Sequence, residues 1–88
     1  MQSDLERLSN EYDLAESVFM DSVRDAVGRD NLAEAAGAVA QAAARFNAEA
    51  YRRFHTGVDD AWMPLDWLTE RTEVLAELWA DLAAAYRQ

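Results

Sequence analysis

The sequence predicts an all-α protein, a small antiparallel three-helix bundle with helices at about residues 4–27, 31–54 and 65–87. Three observations predict it. Apolar residues recur at alternating steps of three and four along three separate stretches. Only 3 Gly and 1 Pro occur in 88 residues, too little turn chemistry for a sandwich or barrel of short strands. Hydrophobic residues make up 51% of the chain, enough to line one core, and the length suits a single helical domain over residues 1–88.

The first helix opens on Ser3, which with Glu6 reads as a capping box. Asp4 and Glu6 fall in the first turn, where the helix dipole favours carboxylates. Leu5, Leu8, Tyr12, Ala15, Phe19, Ser22 and Ala26 form a heptad stripe flawed only at Ser22, and Val18, Val23 and Val27 widen it. Gly28 reads as the stop of this helix and Asp30 as the N-cap of the next. So short a joint forces the two helices to lie antiparallel and adjacent.

The second helix holds most of the alanine, with ten Ala and one Gly between Ala33 and Ala50. Its large apolar face carries Leu32, Ala35, Ala36, Val39, Ala43, Phe46, Ala50 and Phe54. A separate line of small residues, Ala33, Gly37, Ala40 and Ala44, is the candidate for close helix packing. A glycine inside a helix costs about 1 kcal/mol relative to alanine, which a close neighbour would explain. Gly57 ends the helix, and Pro64 suits the start of the third.

The third helix carries two apolar lines. Leu65, Leu68, Thr72, Leu75, Trp79, Leu82 and Tyr86 form an unbroken three-four stripe. Trp67, Val74, Leu78 and Ala85 lie roughly 110° around the same helix. One line is available to the first helix and the other to the second, or one faces another subunit. An excess of apolar helix face in so short a chain points to self-association.

Charge excludes several functions. The formal net charge is -9, which disfavours non-specific binding of nucleic acid or anionic lipid. Residues 1–30 carry eight acids and three arginines, residues 31–57 two acids and three arginines, and residues 58–81 seven acids and one arginine. The middle helix is thus the least charged, as expected of one shielded by its neighbours. Lysine is absent, so each of the 8 basic residues is an arginine, the better partner for bidentate carboxylate pairs. With 0 Cys and 1 His there is no disulfide, thiolate site or multi-histidine metal site. The Glu-x-x-His pattern of carboxylate-bridged metal bundles is missing, because Arg52 stands three before His55. No metal, cofactor or catalytic residue is expected. No basic leader, apolar run of membrane length or phosphate-binding glycine loop is seen, and the expected location is the cytoplasm.

The strongest candidate for function is the joint between the second and third helices. Arg53, His55, Asp59, Asp60, Trp62 and Trp67 combine aromatic and charged side chains of the types that dominate protein interfaces. Asp59, four residues after His55, is placed to favour the imidazolium. The expected function is a non-enzymatic protein–protein interaction module, an acidic accessory subunit or adaptor. Its partner is another protein or its own copies, with neither nucleic acid nor a membrane span involved. Two alternatives use other surfaces: an acidic inhibitor mimicking nucleic acid before a basic groove, and an amphipathic coat on an apolar surface.

Overall fold

The computed structural model describes residues 4–57 and 64–88. They form three helices, α1 (Asp4–Arg24), α2 (Arg29–Thr56) and α3 (Leu65–Arg87), and no strand among the described residues. Ser3, and with it the expected capping box, lies outside the described residues, as do Asp59, Asp60 and Trp62.

The first turn differs from expectation. α1 stops at Arg24, four residues before Gly28. The Val27 N–H donates to the Ser22 carbonyl (3.2 Å) and the Ala26 N–H to the Val23 carbonyl (3.1 Å). Ala26 adopts a left-handed φ of 55°. These nested bonds are the usual way a helix satisfies its last carbonyls, with alanine here in the position that glycine normally takes. Gly28 is instead the extended N-cap of α2, and Asp30 sits inside the first turn rather than at the cap. Because α2 begins at Arg29, the chain must complete its reversal before Gly28, which moves the left-handed residue forward to Ala26. Gly57 does end α2, with a left-handed φ of 71°.

α2 is the central helix, and both α1 and α3 pack on it. α1 contributes Leu5, Leu8, Tyr12 and Phe19 to the core, α2 contributes Ala36, Val39, Ala42, Ala43, Phe46 and Ala50, and α3 contributes Leu68 and Ala83. Val18 and Val23, expected to widen the inner stripe of α1, are exposed instead. On the other side of α2, the Asn47 side-chain amide donates to the Thr69 carbonyl (2.8 Å) and to Thr72 Oγ1 (3.0 Å). Thr72 is itself buried and donates to the Leu68 carbonyl.

The bundle is open between its outer helices. Among the described residues, no Cα of α1 lies within 8 Å of one of α3. Aromatic side chains span the gap. Trp79 Nε1–H donates to the Tyr12 hydroxyl (3.0 Å), and the Phe19 ring meets Trp79 edge-on at 4.9 Å between centroids. The result is a flattened body, 43 × 26 × 14 Å in Cα extent. Its radius of gyration of 14.1 Å exceeds the roughly 12 Å expected of a compact domain this long.

Candidate functional site

The gap between α1 and α3 leaves a cleft. Ser9, Tyr12 and Asp13 of α1 form one wall, Phe46 of α2 the floor, and Trp67 and Arg71 of α3 the other wall. It adjoins a larger open cleft of about 460 Å³ on the outer side of α3, lined by Trp67, Glu70, Arg71, Val74, Leu75 and Leu78. Trp67, Arg71 and Leu75 belong to both.

This site follows from the two apolar lines of α3. The three-four stripe turns inward: Leu68 and Thr72 are buried, and Leu65, Leu75, Trp79, Leu82 and Tyr86 pack at the core's edge. The second line stays largely in solvent, with Trp67 also forming a wall of the cleft toward α1. Trp67 and Val74 are each 49% exposed and Leu78 is 59% exposed. Arg71 lies over the Trp67 ring, 5.4 Å from its centroid, in cation–π geometry. The Trp67 N–H donates to the Asp66 carboxylate at the start of the helix (2.8 Å).

Carboxylates border the apolar line. Asp66, Glu70, Glu73, Glu77 and Asp81 are all exposed. They fall within roughly 80° of arc at 100° per residue, next to Trp67, Val74 and Leu78. Among the described residues none of the five has an ion-pair partner. Asp13 edges the opposite wall, on α1. Burial pushes the nearby Tyr12 phenol up from its ordinary value, partly opposed by the Trp79 N–H.

Of the residues expected to act together at the joint, Arg53, His55 and Trp67 fall among the described residues. His55 packs against Tyr51 (centroids 4.1 Å apart) and Phe54 (5.3 Å), and all three are exposed at the end of α2. Arg53 bonds to Glu49 on its own helix (2.9 Å). Glu49 also accepts from Arg52 at 2.6 Å and 3.0 Å, and these two guanidinium partners, Arg52 foremost, hold its carboxyl down at about 2. Trp67 belongs to the cleft beside α1, and none of its described contacts is with His55. The small-residue line is divided too. Ala33 is buried, Gly37 and Ala40 are half-buried, and Ala44 is exposed. A Cβ added at Gly37 would stand 3.6 Å from the Arg87 guanidinium, an ordinary contact, so no backbone approach there demands glycine.

Arg71, Glu70 and Asp13 were not singled out in the sequence as binding residues. Their signal was present as position: each falls beside the second apolar line or opposite it. Among the described residues no group of three metal-ligating side chains gathers, and no described helix is long and apolar enough to cross a membrane. Comparison with models of known protein families, with curated proteins and with solved structures finds no match to this chain.

Proposed function

We propose that the chain is a non-enzymatic interaction module, an accessory subunit or adaptor that docks another protein or a further copy of itself. The observation that carries this reading is the outward line of α3. Trp67, Val74 and Leu78 keep large apolar surface in water while the inward line of the same helix meets the core. Contiguous apolar surface bordered by charge is the mark of an interaction site. Tryptophan and arginine, here stacked, are the types most enriched among residues that dominate binding.

The test is recovery of the chain from its native cells at its natural level, followed by intact-complex mass spectrometry. The expected result is a stoichiometric complex that is lost in a Leu78→Asp variant of unchanged helicity. A lone monomer, with or without the substitution, would overturn the reading.

The five exposed carboxylates of α3 favour a second reading, mimicry of nucleic acid, since they extend over about 22 Å of helix at 1.5 Å per residue. A mimic engages its target through the carboxylates alone. Leu78→Ala would leave such a complex intact, whereas pairwise Glu→Gln changes would dissolve it.

A further inference from the structure

Resting on the interaction reading, we infer that the occupant of this face is an amphipathic helix of another protein, with arginine or lysine on both flanks of its apolar ridge. The shape of the site argues for a helix. From Trp67 to Leu78 the exposed apolar line extends about 16 Å, three turns, and shares Trp67 with the cleft that the separated α1 and α3 leave open. A helix laid beside α3 would complete a four-helix arrangement, its ridge over Trp67, Leu75 and Leu78 and one flank toward Asp13 of α1.

The charge argues for a basic partner. Glu70 and Glu77 border the site on the outer side of α3, and Asp13 borders it on the α1 side. The basic residue lining both clefts, Arg71, is engaged with the Trp67 face. Basic residues flanking an apolar ridge therefore meet carboxylates on either side, which fixes orientation and speeds encounter. A second copy of this chain is disfavoured by the same charges. Each copy has a formal net charge of -9, and antiparallel pairing through the α3 ridge places the two acidic lines side by side.

Two synthetic helices test this. They share one leucine ridge, flanked by lysine in one and by glutamine in the other. Calorimetry with the full chain is expected to show 1:1 binding, with the lysine-flanked helix about ten-fold tighter and the gap closing at high salt. Leu78→Ala is expected to weaken that binding by about ten-fold or more, and the pair Glu70→Gln and Glu77→Gln to shrink the preference for lysine, which Asp13 then carries in part. Leu14→Ala, an exposed apolar change elsewhere on α1, is expected to leave binding unaltered.

Equal affinity for the two helices would overturn the basic partner while leaving the interaction reading in place. A concentration-dependent dimer that Leu78→Ala dissociates would do the same, because a copy then covers the face. Binding indifferent to Leu78→Ala, or none to either helix, would overturn the site itself, with the native complex still deciding the broader reading.

Discussion

α1 and α3 are close in length, 21 and 23 residues, and both lie on α2, yet they give the core residues of different size. α1 buries large side chains, namely Leu5, Leu8, Tyr12 and Phe19. α3 buries Leu68, Thr72 and Ala83, and leaves Trp67, Val74 and Leu78 open. Burial of large apolar groups is what stabilises a small domain, at roughly 25 cal/mol per Å². By that measure α1 gives the core more large side chains than α3 does; both also leave apolar surface uncovered, Leu14, Val18, Met20 and Val23 on α1 and Trp67, Val74 and Leu78 on α3, and those on α3 line a cleft. The difference lies in what the exposed residues border: on α3 they line a cleft beside exposed carboxylates.

The sharpest way to break this comparison is to truncate one large apolar residue on each helix. Phe19, 5% exposed and in contact with Trp79, is expected to cost about 3–5 kcal/mol on change to alanine. Leu78→Ala is expected to cost less than about 0.5 kcal/mol, as for an exposed site. Urea denaturation of the two variants decides the matter, and equal losses would erase the distinction. Next in size is Asn47→Ala, expected to cost about 1–2 kcal/mol through loss of its two hydrogen bonds to α3. A null result there would mean that the Asn47 amide adds nothing to the seating of α3.

Gly37→Ala sharpens the comparison from the α2 side. The half-buried site has room for a Cβ near Arg87, so the variant is expected to gain about 0.5–1 kcal/mol in a thermal melt. A loss would reveal a tighter seat for α3 than the spacing allows. The smallest effect concerns acid. Glu49 has its carboxyl depressed from 4.5 to about 2, so its pairing stabilises the fold above the ordinary carboxylate range, and that contribution is lost as pH falls from about 4.5 toward about 2. The stability gap between the chain and its Glu49→Gln variant should therefore narrow across that window in a pH series of melts. A gap constant with pH would assign Glu49 a purely steric role.

Much of this was legible in the sequence. The three helices, the central position of the alanine-rich one and the inward stripe of α3 all follow from period and composition, because burial imposes them on every turn. Val39, Phe46, Leu68, Phe19 and Tyr12 are buried where their spacing puts them. The second line of α3 was legible as apolar, but the sequence left open whether it meets a neighbouring helix or stays outside the chain's own core. Whether Trp67, Val74 and Leu78 meet a neighbour depends on how far apart α1 and α3 stand, a distance set by the bulk of Tyr12, Phe19 and Trp79 that helical period does not encode. The same holds for Gly28 and Ala26: the residue types marked a turn, while the start of α2 decided which of them took the left-handed conformation. The interface expected at the joint lies half outside the described residues, and of the rest the sequence could not say which share a cluster. Trp67 and His55 are twelve positions apart, and the rotation of each on its own helix sends them into different clusters.

The hydrogen bonds of Asn47 have a consequence for the uniqueness of the native state. Alanine follows alanine along α2, so sliding α3 by one turn exchanges one small methyl for another and changes the apolar energy little. Packing of that kind is nearly degenerate. The amide breaks the degeneracy, because in the native alignment it reaches both the Thr69 carbonyl and the Thr72 hydroxyl, and a slipped alignment leaves it half-buried without either. One polar side chain among the alanines thereby selects a single register from several competing ones and steepens the energy landscape around it.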